Sequence, residues 1–255
     1  MATTRLRLDT LLVDRGLAAS RERARALILA GQVRVAGQVA AKPGTAVAAD
    51  ADVSLDLPDH PYVSRGGLKL AHALDTFRID VTGRLALDIG ASTGGFTDVL
   101  LRRGARHVVA LDVGHNQIDW RLRTDPRVTV LEGVNARHLA AAALPVEMRR
   151  VDVVTIDVSF ISLRAILPVV PPLLAPHADV VALVKPQFEA GRGEVGKGGI
   201  VRDPAVHDRV LGEVCDEAAR LGLATRGHCE SPITGAEGNR EFLVHLQPGE
   251  PAHAG

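Results

Sequence analysis

The 255-residue sequence predicts an α/β protein: a large domain built on a mostly parallel sheet flanked by helices, preceded by a small basic module of helices and short strands. Three observations predict it. Near-continuous apolar, β-branched runs recur between residues 85 and 246, as expected for strands buried on both faces. The first of these runs ends in an acid and a glycine-rich turn, residues 87–96 reading LDIGASTGGF. Within residues 1–45, eight basic side chains stand against three acidic ones, although the whole chain carries 30 of each.

The small module comes first. Leu8, Leu11 and Leu12, then Ala24, Leu27 and Ile28, lie at helical spacing with Gly16 between them and Ser20 placed as an N-cap, so residues 8–30 read as helix, turn, helix. Gln32 to Val35 and Val39, separated by Gly37, read as a short hairpin. Arg21 and Arg25 fall four apart on one helix face, where planar guanidinium forks suit successive phosphates; the competing reading is a solvated face. The two prolines and two glycines of PDHPYVSRGG make residues 58–66 a linker, which divides the chain into domains 1–57 and 67–255.

In the larger part, strands are expected at 85–90, 107–113, 128–133, 151–158, 179–186 and 241–246, several of them separated by helix-compatible segments. The clearest helix follows Pro204, with Val210, Leu211, Val214, Cys215 and Ala218 on one side. Ligands of such sheets sit beyond the carboxyl ends of the strands, which singles out Asp88 with its glycine turn, Asp112, residues 132–135, Asp157 and Lys185.

Composition excludes several classes. At 46% hydrophobic and 24% charged the chain is an ordinary soluble one. The N-terminus, MATTRLRLDT, lacks the apolar core of a secretion signal, and no apolar run approaches the ~18 to 20 residues of a spanning helix. Cys215 and Cys229 form no C-x-x-C pair and the histidines share no spacing, so neither a disulfide framework nor a metal site is expected, and a reducing cytoplasm fits.

The turn gives the ligand class. Gly90, Gly94 and Gly95 read G-x-x-x-G-G, which is neither the dinucleotide fingerprint nor a Walker loop. Asp112, eighteen residues past Gly94, is placed to accept hydrogen bonds from both hydroxyls of an adenosine ribose. Asp88 beside the glycines suits an ammonium group. An adenosine-bearing ligand with an amino group and no pyrophosphate satisfies all three, and S-adenosylmethionine is such a ligand. The expected cofactor contacts are Asp88, Gly90, Ala91, Ser92, Thr93, Gly94, Gly95, Phe96, Asp112, Val113 and Asn135.

The run from Arg7 to Val39 resembles an S4-type RNA-binding module. Together with YVSRGGLKL, LDIGASTGGFTDVLL, ALDVG, VDVVTIDVSFISL, LVKPQFEAGRGEVGKGGIV and NREFLVHL, it makes the chain similar to the TlyA (haemolysin A) group of ribosomal RNA 2′-O-methyltransferases, whose catalytic domain is FtsJ-like. The resemblance implies a Rossmann-like class I methyltransferase domain with a mostly parallel seven-stranded sheet, and a small S4-like α+β domain. It also implies a Lys-Asp-Lys-Glu catalytic set, which falls on Lys69, Asp157, Lys185 and Glu241. The implied substrate is cytidine in 16S and 23S ribosomal RNA within the subunits, linked to sensitivity to capreomycin-type peptide antibiotics. The implied enzyme is a cytoplasmic monomer that needs no metal and no membrane. Arg5, Arg7, Arg15, Arg21, Arg25, Arg65, Arg192 and Lys197 are the expected RNA contacts.

A ribose 2′-hydroxyl must be held in line with the methyl donor and lose its proton as the new bond forms. A lysine takes that proton only with a lowered pKa, which burial and a second lysine favour and carboxylates oppose. Lys185 is the expected base or hydroxyl-orienting group, with Asp157 and Lys69 fixing its state and Glu241 on the substrate side. For Lys69 and Glu241 the competing reading is an ordinary surface ion pair. Residues 188–203, with five glycines beside Arg192, Lys197 and Arg202, read as a lid or as a slack connection. A flipped cytidine needs a stacking partner, for which a phenylalanine or an arginine plane is available. The alternatives to an enzyme are a noncatalytic ribosome-assembly factor and a membrane-lytic haemolysin.

Overall fold

The computed structural model describes residues 5–18, 20–29, 31–55, 60–191, 193–235 and 237–249. The chain divides into two compact units, Met1–Pro61 and Tyr62–Gly255.

In the first unit, β1 (Arg5–Arg7) leads into α1 (Leu8–Asp14) and α2 (Arg21–Leu29), followed by β2 (Val33–Val35), β3 (Gln38–Val39), β4 (Ala46–Ala48) and β5 (Val53–Leu55). The apolar positions at helical spacing form its core: Leu8, Leu11, Leu12, Ala24, Leu27 and Ile28 are buried with Val33 and Val47. The β2–β3 hairpin turns through Ala36 and Gly37 at φ +48° and +77°, the backbone that a two-residue primed turn requires. β5 adds to the other side of β2, and β1 pairs with β4. These three-residue strands are too short to show a period, which is why β1, β4 and β5 are not legible in the sequence.

The second unit comprises α3 (Gly66–Phe77), β6 (Leu85–Ile89), α4 (Gly95–Arg102), β7 (His107–Asp112), α5 (Trp120–Arg123), β8 (Val128–Glu132), β9 (Val151–Ile156), β10 (Leu174–Val184), α6 (Pro186–Glu189), α7 (Pro204–Arg220), β11 (Leu223–Glu230) and β12 (Phe242–Pro248). Its seven strands run in the order β11-β12-β10-β9-β6-β7-β8, with β12 antiparallel to both neighbours. The α/β expectation and the six expected strands are all present. The seventh, β11, escapes the sequence reading because it is an edge strand with alternating exposure and several polar residues. α3 and α4 cover one face through Leu70, Leu74, Val99 and Leu100, and α7 covers the other through Val210 and Val214.

Two crossovers differ from expectation. The segments before β9 and β10 are chains of short 3₁₀ turns, not helices. Pro145, Pro168, Pro171 and Pro172 interrupt the α-helical ladder there, yet Leu163, Ile166, Leu167, Val170 and Leu173 keep helical spacing and are buried. Of the segment read as a linker, residues 58 and 59 lie outside the described residues, while Tyr62 to Arg65 fall in the second unit. There the Val63 amide donates to Asp98 at 2.9 Å, and α3 starts at Gly66.

Register fixes what the sheet presents at one edge. Ile89 and Ile156 are paired neighbours in parallel strands, and the Asp157 amide donates to the Ile89 carbonyl at 2.9 Å. Val184 pairs with Phe242 at the end of the antiparallel β10–β12 ladder, and Lys185 and Glu241 are the next residues beyond that pair on either strand. The Gly90 turn, Asp112, Asp157, Lys185 and Glu241 therefore all lie along the carboxyl edge of the parallel strands.

Candidate active site

The glycines of the turn serve packing more than the sequence suggests. Gly90 takes φ +85° and lines the cavity beyond the sheet, but a Cβ there would overlap the Asp157 carbonyl. At Gly94 a Cβ would strike Leu122, and at Gly95 the Ser64 hydroxyl, so at these two glycines the missing side chain makes room for protein packing. Ala91 and Phe96 are buried, Phe96 within the core, whereas Ser92 and Thr93 are exposed.

Asp88 also differs from expectation. It is completely buried, accepting hydrogen bonds from Thr97 Oγ1 at 2.7 Å and Thr155 Oγ1 at 2.8 Å. Burial pushes its carboxyl up to about 6 and the Asp157 charge adds to this, while the threonine hydroxyls oppose it. With both oxygens engaged by threonines, Asp88 braces the turn from behind and is absent from the cavity wall.

The wall of that cavity, of about 550 Å³, includes Gly90, Ser92, Asp112, Asn135, Asp157 and Phe160, and Val113 joins them. Asp112 is held by the amides of Ser92 and Gly114, both at 2.7 Å, which fixes its carboxylate at the strand end. Asn135 turns its side chain to cap the Arg137 amide at 3.1 Å. A concave space of this size, with a fixed carboxylate at the end of the second strand and bare backbone at Gly90, fits an adenosine-bearing cofactor.

The four proposed catalytic residues form two ion pairs. Lys185 Nζ lies 2.5 Å from Asp157 Oδ1 and donates to Ser159 Oγ at 2.9 Å. Lys69, in the first turn of α3, lies with Nζ 2.5 Å from Glu241 Oε2. Their side chains are only 11% and 3% exposed, so this is a buried pair and not the surface contact of the competing reading. α3 packs on β12, which brings Lys69 to the strand that Glu241 precedes.

Several participants carry no signal in the sequence. Ser159 is one. Phe160 is 91% exposed, sits at φ +63° and packs its ring 5.3 Å from that of Phe188. An exposed aromatic in left-handed backbone without glycine is costly. Glu189, buried, accepts from the Ser162 hydroxyl and the Leu163 amide, both at 2.6 Å, and so ties the Lys185 segment to the Phe160 loop. Asn239, two residues before Glu241 and 1% exposed, donates to the Gly199 carbonyl at 2.8 Å and accepts from the Val201 amide at 3.0 Å. The far end of the 188–203 loop is thus bolted to the turn carrying Glu241.

Of the expected RNA contacts, Arg5, Arg7, Arg15, Arg21 and Arg25 are exposed on the first unit; Arg65 and Lys197 are exposed on the second, and Arg192 lies outside the described residues. Arg5 donates to the Ala46 carbonyl at 3.0 Å and Arg15 to those of Ala51 and Ala49 at 2.7 and 2.6 Å.

The FtsJ-like methyltransferase model matches residues 62–248 and the S4 domain model residues 6–53. The chain is 50% identical over 244 residues to the 16S/23S rRNA (cytidine-2′-O)-methyltransferase TlyA of Mycobacterium tuberculosis, covering 95% of this chain and 90% of that protein. A solved structure from Streptococcus thermophilus is 44% identical, with a TM-score of 0.74, over 98% of this chain and 90% of its own. The S-adenosylmethionine-dependent methyltransferase of Mesorhizobium loti, 17% identical, shares the fold with a TM-score of 0.51 over 69% of this chain and 96% of its own.

Proposed function

Because the chain belongs to the FtsJ-like methyltransferase family and carries an S4 domain, we propose that it transfers a methyl group from S-adenosylmethionine to the ribose 2′-hydroxyl of cytidine in 16S and 23S ribosomal RNA. The observation that carries this reading is the Lys185–Asp157 pair at the rim of the cavity that Asp112 lines. Asp112 would bind the ribose of the cofactor, with Gly90, Ser92, Val113 and Asn135 around it. The bound cofactor supplies an electrophilic methyl group.

The remaining work falls to the chain's own side chains. Lys185 Nζ, oriented by Asp157 and Ser159, holds the 2′-hydroxyl in line by donating to its oxygen, and it receives the hydroxyl proton only after passing one of its own to Asp157. Lys69 from α3 and Glu241 beside the sheet edge fix the local charge and shut water out of that side. Phe160, exposed and backed by Phe188, offers the flat face on which a flipped cytosine stacks. The basic face of the first unit supplies sequence-independent attraction to the RNA backbone.

Methyl-labelled S-adenosylmethionine is incubated with unmodified ribosomal subunits, and the labelled ribose is mapped, with Lys185→Met alongside. Label on a cytidine 2′-oxygen that vanishes in the variant supports the assignment. Absence of label on either subunit, despite cofactor binding, moves the protein to the noncatalytic ribosome-binding reading. A change in sensitivity to capreomycin-type antibiotics belongs to the same proposal, read by comparing cells that carry the wild-type and Lys185→Met chains. Among the described residues no helix is long and apolar enough to cross a membrane.

A further inference from the structure

The first unit buries a carboxylate under its basic surface. Asp9, in the first turn of α1, has no exposed area. Arg7 Nε donates to its Oδ1 at 3.0 Å and Arg7 Nη2 to its Oδ2 at 2.9 Å, a forked contact. Arg21 Nη2, at the start of α2, reaches the same Oδ2 at 3.3 Å, and the Thr10 hydroxyl lies 3.4 Å from Oδ1. Gly44 completes the seat, since a Cβ there would lie 3.3 Å from Arg7 Nη1. The Arg7 hydrogen bonds, and then those of Arg21, hold the Asp9 carboxyl well below the usual carboxylate range.

Two guanidinium groups from different elements repel when brought together, and each long side chain loses rotamer freedom when fixed. A shared carboxylate removes the first obstacle, and the fold meets the second before any ligand arrives. The outward sides of both residues stay available, the side chains being 54% exposed at Arg7 and 59% at Arg21. This is a different arrangement from the Arg21–Arg25 pair that helix spacing suggests.

We propose that Asp9 is a positioning residue for RNA: it holds Arg7 and Arg21 side by side as one preassembled site for adjacent phosphates of the RNA backbone. The inference rests on the RNA-substrate reading and makes a prediction opposite in sign to simple charge counting. Removing a negative charge near the phosphates should by itself tighten binding, about twofold through water. If Asp9 positions the arginines, its loss weakens binding instead.

The experiment measures the affinity of the full-length protein for unmodified ribosomal RNA across a series of salt concentrations. Asp9→Asn is expected to bind about 5- to 10-fold more weakly, with the salt slope reduced by about one. In an Arg7→Gln/Arg21→Gln background the same substitution is expected to cause no weakening and to leave only the about twofold tightening from the lost charge, because the groups it acts through are gone. Arg7→Lys/Arg21→Lys keeps both charges without the forked contact and is expected to match the Asp9→Asn loss, which preserves the test should Asp9→Asn melt the module. Equal or tighter binding by Asp9→Asn, an undiminished effect in the double-glutamine background, or wild-type affinity of the double-lysine variant each overturns the inference. A wild-type protein with no measurable affinity for ribosomal RNA overturns the substrate reading itself, an outcome separate from these.

Discussion

Replacing Glu241 with glutamine strands Lys69 in the interior, and the cost follows from the geometry. At an Nζ–Oε2 separation of 2.5 Å the gross attraction is about 7 kcal/mol for an effective dielectric constant of ~20. Desolvation of each ion offsets several kcal/mol of that, so the intact pair is near balance against an apolar pair of the same shape. A lysine left alone has no such offset, and the expected loss is about 3–5 kcal/mol. For a chain of this size that lowers the melting temperature by roughly 6–20 °C. The double variant Lys69→Met/Glu241→Leu is expected to melt within a few degrees of wild type, yet to transfer methyl groups as poorly as the single variant. Thermal unfolding followed by circular dichroism gives the first quantity and single-turnover labelling of ribosomal subunits the second. A Glu241→Gln protein that melts with the wild type would refute the buried-pair reasoning, and a double variant that recovers the full rate would reduce the pair to a structural role.

Ser159→Ala removes the acceptor of the Lys185 ammonium and is expected to lower the single-turnover rate about 10- to 100-fold with cofactor affinity unchanged; an unaltered rate sinks the orienting role. Asp88, raised to about 6 by burial, favours folding while protonated: that contribution is complete below the unfolded value of 3.8 and is lost as the pH rises through 6. Asp88→Asn should therefore stabilise the protein by up to about 3 kcal/mol at neutral pH, a gain that fades between pH 6 and pH 4 in denaturation curves; a gain independent of pH contradicts the assignment. Asn239→Ala leaves the Val201 amide and the Gly199 carbonyl without their partner, at about 1–3 kcal/mol each, so amide exchange across 199–203 should accelerate and activity fall; unchanged protection there means the clamp is dispensable.

Strand ends were the most legible feature of this chain. Apolar runs locate Asp112, Asp157 and Lys185 at the carboxyl ends of their strands because burial of a parallel strand imposes its pattern on the local sequence and stops where the strand stops. The same logic fails where local pattern and burial part company. β11 is an edge strand with mixed polarity, and the proline-broken crossovers keep helical spacing without helices. Phe160 and Ser159 have no signature, since an exposed ring and a loop hydroxyl leave no periodicity behind.

The sequence by itself determined the α/β class, six of the seven strands of the large sheet, the two-part organisation and the residue types gathered at the sheet edge. Only the tertiary structure decided which charge meets which. It sets Lys69 against Glu241, 172 residues away, and Asp9 beneath Arg7 and Arg21, and it turns Asp88 inward onto Thr97 and Thr155. Periodicity reports how deeply a segment is buried, whereas a partner depends on long-range register and helix placement, which no local stretch of the chain encodes.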